Sequence, residues 1–268
     1  MPKNTELFNP GCPLVAFGTS SDQKEKLGEV LKFGVQCGFR VLNMSDEHNN
    51  ETSVGMSLKS LITGGFIARQ DLFISFKMTK IQNLRQLEEH ISKHLTARSL
   101  TYFDLFVIEN SAFVEENILK IWRTLENLHL SRLLRNIGLS GFPRKQIENI
   151  LSVAVIKPFA IQDIFNPFSS NNEISQFCQI HDLLLIGMSP LDNLSSKGKL
   201  LTNSFVTEIA RNHNASPAQT LLAWAIQSQT LPVVQTLNTD HVKENIMLSD
   251  LKLSEKEMRD ICQLTQTK

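Results

Sequence analysis

The sequence is short of the residues that most often mark a chemistry or a cellular address. It has a single tyrosine, Tyr102, among 268 residues, so phenol chemistry has one position to occur at. Its four cysteines, Cys12, Cys37, Cys178 and Cys262, lie far apart. They lack the spacing of metal ligands, so no metal site is expected, and reduced thiols of a cytoplasmic or nuclear protein are the default reading. No apolar run approaches the roughly 20 residues of a membrane span. The first residues, Met1-Pro2-Lys3-Asn4-Thr5-Glu6, lack the apolar stretch of a secretory leader. Net charge is absent as well, with 27 Lys+Arg against 27 Asp+Glu. No nucleic-acid surface and no membrane partner are therefore expected.

What the chain does have is a large apolar fraction, 41%, and a regular alternation of strand-like and helix-like segments. Candidate strands are Leu14–Phe17 (stopped by Gly18), Phe39–Asn43, Asp71–Lys77, Phe103–Ile108, Leu133–Leu139, Ala160–Gln162, Leu183–Gly187 and Pro232–Val234. Candidate helices run over Gln23–Cys37, Ser53–Leu61, Leu84–His94 and Glu115–Leu130, each with apolar residues at helical spacing. Gly64-Gly65 is expected to end the second helix. Pro143 and Pro217 are expected to open later ones, the second containing Trp224, and a last helix falls around Ser254–Leu264. Eight such pairs point to a closed parallel (β/α)₈ barrel, an α/β fold that takes about 250 residues as one domain. The expected domain is 1–268. In such a barrel the strand tips gather around one pocket, so Asn43, His48, Lys77 and Glu109 would meet there.

Those tips carry a family resemblance. Gly38-Phe39-Arg40-Val41-Leu42-Asn43 through Asn50-Glu51-Thr52-Ser53-Val54-Gly55 resembles the second strand and following loop of the aldo-keto reductases. Arg69 to Lys77 resembles their third strand, and Tyr102-Phe103-Asp104-Leu105 their fourth. Ile137 to Phe142, Met188-Ser189-Pro190-Leu191, Ser216-Pro217-Ala218-Gln219 with Trp224, and Glu244-Asn245 complete the series in order. Phe8-Asn9-Pro10-Gly11 resembles the hairpin that plugs the barrel's bottom in this family. The resemblance implies carbonyl reduction with hydride from a nicotinamide, with a tyrosine as proton donor supported by a lysine, an aspartate and a histidine.

Carried over position by position, the tyrosine becomes His48, the aspartate Asn43 and the histidine Glu109; Lys77 alone is kept. Tyr102 belongs to the structural Tyr-x-Asp-Leu run and cannot stand in. Histidine titrates near neutrality and suits a general acid. Its nitrogen, however, falls roughly 2 Å short of a phenol oxygen, and misplacement by about 1 Å can cost a hundredfold. Glu109 could pair with Lys77 across the pocket. His48 in a polar loop also reads as an ordinary solvated side chain.

The same resemblance assigns cofactor contacts to Gly18, Ser140, Gln162, Ser189, Leu191, Thr236, Glu244 and Asn245. Gln162 would hold the nicotinamide carboxamide, and Glu244 and Asn245 the adenine. The two cations that clamp the 2′-phosphate of NADPH become Gln235 and His241. The asparagine partner of Ser140 becomes Gly141, and the stacking aromatic becomes Met188. Binding of NADP(H) or NAD(H) is expected to be weak. Alternatively, Glu244 and Asn245 would simply cap and start a helix.

Two functions follow from this reading, with vestigial NAD(P)H sensing, binding without turnover, as a third. One is an oxidoreductase of small aldehydes, ketones or sugars with weak or lost turnover. The other is a non-catalytic barrel with a protein partner, similar to the glutamate–cysteine ligase regulatory subunit, which Trp122 to Ile147 loosely resembles. The acidic turn at Glu115-Glu116-Asn117, the charged helix from Lys252 to Arg259 and the loop Ser195-Ser196-Lys197-Gly198-Lys199 read as solvated surface.

Overall fold

The computed structural model describes residues 14–81, 84–112, 118–169, 172–191, 199–248 and 251–264. Eight parallel strands close on themselves: β1 (Ala16–Gly18), β2 (Val41–Ser45), β3 (Phe73–Met78), β4 (Leu105–Glu109), β5 (Ile137–Ser140), β6 (Ala160–Ile164), β7 (Leu184–Met188) and β8 (Thr230–Val234). Each pairs with the next, and β8 pairs back to β1. The helices are α1 (Lys24–Cys37), α2 (Glu51–Thr63), α3 (Leu87–Ala97), α4 (Ile118–Leu130), α5 (Arg144–Val153), α6 (Asn172–Ile180), α7 (Ser204–Asn212), α8 (Pro217–Gln227), α9 (Thr239–Ile246) and α10 (Glu255–Gln263). None of the described helices is long and apolar enough to cross a membrane.

The strands alternate faces with a period of two, and this decides which side chains meet. Val41, Leu105, Val107, Ala160, Leu184, Ile186, Leu231 and Val233 form one apolar cluster that fills the inside of the barrel. Two residues on from members of that set come Asn43, Glu109, Gln162 and Met188. Phe73 packs against the same cluster, so Ser75 and Lys77 follow it on the inner side. The other face of each strand, with Leu42, Ile74, Phe76, Phe106, Leu139 and Ile161, packs under the helices in the larger core. Fully burying each such side chain contributes about 1.5–3 kcal/mol.

Local chemistry sets the ends of the helices. Ser216 and Gln219 form a reciprocal capping box at α8, with Pro217 in the first turn, and Ser254 and Glu257 do the same at α10. Gly38 ends α1 with φ 118°, a left-handed conformation that glycine adopts without a Cβ penalty.

The structure moves several expected boundaries. Pro143 is the cap residue before α5, at ψ 143°, and not its first residue. The third helix starts at Leu87, after a 3₁₀ turn over Leu84–Gln86. Strand β5 begins at Ile137, because Leu133 and Leu134 belong to the approach, where Leu134 bridges Phe103. Helices α6 and α7 went unread; Ile174, Phe177 and Cys178, and Val206, Ile209 and Ala210, are their buried faces. The hairpin at Phe8–Gly11, Cys12, the Glu115–Asn117 turn and residues 195–198 of the loop lie outside the described residues.

Candidate active site

The site is built first by the turn that follows β2. Ser45 ends the strand and caps a 3₁₀ turn, Asp46–His48, its Oγ accepting from Glu47 N at 3.4 Å. Asn49 then takes φ 48°, one of the few non-glycine residues suited to that region. Three anchors hold this turn. The Asp46 carboxylate accepts from Thr79 N at 3.0 Å and from Thr79 Oγ1 at 2.8 Å, tying the turn to the end of β3. Asn50 Nδ2 donates to Thr19 O, and Thr19 Oγ1 lies 3.4 Å from His48 Nδ1. From below, the fully buried Arg98 reaches Ser45 O at 3.5 Å and Glu51 Oε1 at 3.4 Å. Its guanidinium sits 4.7 Å from the centre of the Phe76 ring, on whose negative face a cation is favoured.

Register brings the other tips to the same level. Asn43 pairs with Gly18 and Ser75, Ser45 with Lys77, Glu109 with Ser140, and Ser140 with Gln162. Lys77 Nζ lies 3.2 Å from Glu47 Oε1 and 3.4 Å from Glu109 Oε2. Asn43 turns elsewhere: its Oδ1 accepts from Gln162 Nε2 at 3.2 Å, and its Nδ2 lies 4.0 Å from Met188 Sδ. Gln162 Nε2 also contacts that sulfur at 2.9 Å. The lysine thus faces two carboxylates, and the amide that replaces its expected carboxylate faces the far wall.

Burial pushes the His48 pKa below its ordinary value of 6.5; Glu47 and Asp46 oppose the shift, while Lys77 and Arg98 add to it. The imidazole is therefore neutral at pH 7. His94, packed against Arg98, is lowered for the same first reason, with Arg98 adding to it.

Whether these residues fit a nicotinamide dinucleotide can be judged along its expected track. Gln162 is 1% exposed, and its Oε1 has no hydrogen-bond partner. A buried acceptor left unmade is costly, and a carboxamide N–H has the chemistry to satisfy it. At Gly18 the neighbouring strand comes close: a Cβ there would sit 3.2 Å from Val233 Cγ1 and 3.3 Å from Val234 O. Ser189 takes φ 53°, and its carbonyl is held by Asn166 Nδ2 at 3.0 Å. Leu191 packs toward the small cluster around Leu200. Beyond β8 the fit fails. Gln235 and His241 are both exposed. Thr236 Oγ1 accepts from Asn238 N at 3.0 Å and lies 3.5 Å from His241 Nδ1. No fixed cation pair stands at these positions.

The capping role considered for Glu244 and Asn245 belongs instead to Asn238, whose side chain accepts from Asp240 N at 2.8 Å. Glu244 and Asn245 lie in the last turn of α9, with Asn245 4% exposed.

The sequence reading overlooked Thr19, Glu47, Thr79 and Arg98. Glu47 carried the one usable signal, being next to His48 in a turn too short to point it far away. Arg98 follows a polar helix end and looks solvated until the fold buries it.

The aldo/keto reductase family model matches residues 14–266. Dihydrodiol dehydrogenase 3 of Bos taurus is 28% identical over 280 residues, covering 93% of this chain and 87% of that protein. Aldo-keto reductase family 1 member A1 of Bos taurus is 27% identical over 275 residues, covering 93% and 85%. The aldose reductase of Schistosoma japonicum superposes with a TM-score of 0.87 at 26% identity, covering 93% of this chain and 87% of that one. The Bombyx mori aldo-keto reductase, solved in complex with NADP, gives 0.88 at 24% identity, covering 96% and 91%. The family model spans nearly the whole chain, and the chain belongs to the aldo/keto reductase family.

Proposed function

We propose that this chain is a nicotinamide-dependent oxidoreductase of small aldehydes, ketones or sugars whose turnover is weak. The observation that carries the reading is the orphaned Gln162 Oε1, on the strand-tip row that Ser140 links to Glu109. It is an unmet acceptor where the family resemblance puts the dinucleotide carboxamide. When bound, the cofactor supplies or takes the hydride. The chain's own part is to grip the carboxamide through Gln162, to place His48 at the reacting oxygen, and to hold charge balance through Lys77.

Three features slow the chemistry. A phenol is absent, and removing a proton donor costs about 10²–10⁴ in rate. His48 is held neutral, so it is a poor acid at pH 7. Lys77 is engaged by two carboxylates, which blunts its pull on a developing oxyanion. Binding is weakened too. Two charge-assisted phosphate contacts of about 1.5–3 kcal/mol each are missing, which together corresponds to about a hundred- to ten-thousandfold in NADPH affinity. NADH, lacking the phosphate, loses less.

The relatives above are named as reductases and a dehydrogenase, so a purely regulatory barrel is not the favoured reading. The setting we infer is cytoplasmic, extending to the nucleus, with a small carbonyl compound as partner and neither nucleic acid nor membrane. The test is a steady-state assay with a panel of small aldehydes under saturating NADH or NADPH. Slow reduction that disappears in Lys77→Met supports the proposal; fast turnover, or activity indifferent to Lys77, opposes it.

A further inference from the structure

Thr19 ends the β1 tip, and its side chain is fully buried. Its hydroxyl has two neighbours: Asn43 O at 3.3 Å and His48 Nδ1 at 3.4 Å. The hydroxyl has one proton, and a carbonyl can only accept. If that proton pointed to Nδ1, two oxygens would face each other at 3.3 Å with no hydrogen between them. If it points to Asn43 O, the hydroxyl oxygen is free to accept, and both contacts are satisfied once Nδ1 carries a hydrogen. Asn43 O also accepts from Thr19 N at 3.0 Å, so one carbonyl takes both donors of the same residue and holds the hydroxyl rotor in place.

We infer that Thr19 is a positioning residue that fixes His48 as the Nδ1–H tautomer and leaves the lone pair on Nε2. Among the described residues Nε2 has no hydrogen-bond partner. The turn bearing the ring is pinned by Thr79, Asn50 and Arg98, which holds the His48 backbone in place beside Thr19. The charged groups facing it are Glu47 and Asp46 on its own turn, Lys77 from β3 and Arg98 from the end of α3. Burial outweighs them and keeps the ring uncharged.

The chemical consequence rests on the proposed function; the tautomer does not. A neutral imidazole with its lone pair on Nε2 accepts a proton and cannot give one. In the oxidative direction, an alcohol loses its hydroxyl proton to Nε2, giving an imidazolium that passes it to water. The carbon–hydrogen bond breaks with its electron pair, which goes as hydride to an oxidised nicotinamide dinucleotide, and a carbonyl forms. The reductive direction first needs the ring charged, which this environment opposes. The resting, uncharged ring is therefore ready to take a proton, whereas giving one to a carbonyl requires protonating it first; burial disfavours the imidazolium in both directions.

Long-range ¹H–¹⁵N correlation on protein labelled at histidine reads the tautomer directly. His48 is assigned among the seven histidines by its loss in His48→Gln. The expected spectrum at pH 7.5 shows a protonated Nδ1 and an unprotonated Nε2. The reverse pattern in the unmodified chain overturns the inference, whatever the cofactor does. Thr19→Ser keeps the hydroxyl and should keep the pattern, whereas Thr19→Val should lose it to a mixture or to Nε2–H. An unchanged pattern in a folded Thr19→Val also sinks Thr19's role. A cofactor titration on the same sample separates this outcome from failure of the proposed function.

Discussion

Lys77 and Glu109 form the ion pair that their sequence positions suggest, Nζ to Oε2 at 3.4 Å, between the neighbouring strands β3 and β4. Glu47 closes on the same ammonium at 3.2 Å from the turn above β2. The lysine is kept, but its field is spent on two carboxylates. That engagement is why the proposed function expects poor stabilisation of an oxyanion although the lysine is kept.

The first prediction concerns that field. His48→Tyr with Asn43→Asp returns a phenol and a carboxylate. Asp at 43 can still accept from Gln162 Nε2, so the packing survives. Carbonyl reduction should rise by about a hundredfold, the bottom of the range for a regained proton donor. Adding Glu47→Gln should raise it further by freeing Lys77. Initial rates with saturating cofactor decide it. An unchanged rate with cofactor bound would show that the Asn43–Gln162–Met188 wall, and not the missing acid, limits the reaction.

Arg98 carries the second. It bridges Ser45 O and Glu51 Oε1, the two ends of the turn that bears His48, and its charge lowers the His48 pKa. Arg98→Met should raise that pKa and loosen the turn, while Arg98→Lys should restore part of the shift. NMR titration of the His48 ring checks both. An identical titration curve in Arg98→Met contradicts the assigned role.

Acid stability gives the third. His48 and His94 are both held below 6.5 in the folded chain, whereas the unfolded chain titrates near that value. Between the two pKa values the unfolded state binds more protons, so stability is complete above 6.5 and falls as pH drops through the window beneath it. The melting temperature should therefore be lower at pH 5.5 than at 7.5. His94→Gln, which can still accept from Arg98, should reduce the slope. A melting temperature that is flat, or that rises toward acid, counts against it.

The fourth concerns packing beneath the turn. Gly55 in α2 leaves no space for a side chain: a Cβ would stand 2.5 Å from Ala97 O and 2.9 Å from Arg98 Cα. Gly55→Ala should destabilise the chain by about 1–3 kcal/mol, as overpacked sites do. Denaturant midpoints measure this, and a loss within error would show that α2 and α3 can separate freely.

Much of this was legible in the sequence, for physical reasons. Alternating apolar strands and amphipathic helices fix a parallel barrel, and a period of two places Asn43, Lys77, Glu109 and Gln162 on its inner face once Val41, Phe73, Val107 and Ala160 are taken as core. What stayed hidden were relations that need a third dimension. Nothing about Arg98 in a run of Thr96-Ala97-Arg98-Ser99 says that its guanidinium will lie on Phe76. Thr19 opens the polar run Thr19-Ser20-Ser21-Asp22, which gives no sign of burial, yet it is fully buried and touches β2 and the His48 turn together. Glu244 and Asn245 read equally well as the start of a helix, and only Asn238's bond to Asp240 N shows which residue caps α9. Short helices such as α7 were missed because nine residues give few repeats of the apolar spacing.

The central claim is that the barrel still fits a nicotinamide dinucleotide but has lost its grip on the 2′-phosphate, since Gln235 and His241 offer no fixed cations. Calorimetric titration of the unmodified chain with NADPH and with NADH tests it most directly. The account predicts measurable binding of both, with NADPH weaker than micromolar and within about tenfold of NADH, because only charge-assisted phosphate contacts would separate them further. Submicromolar NADPH affinity, far above that for NADH, would contradict it.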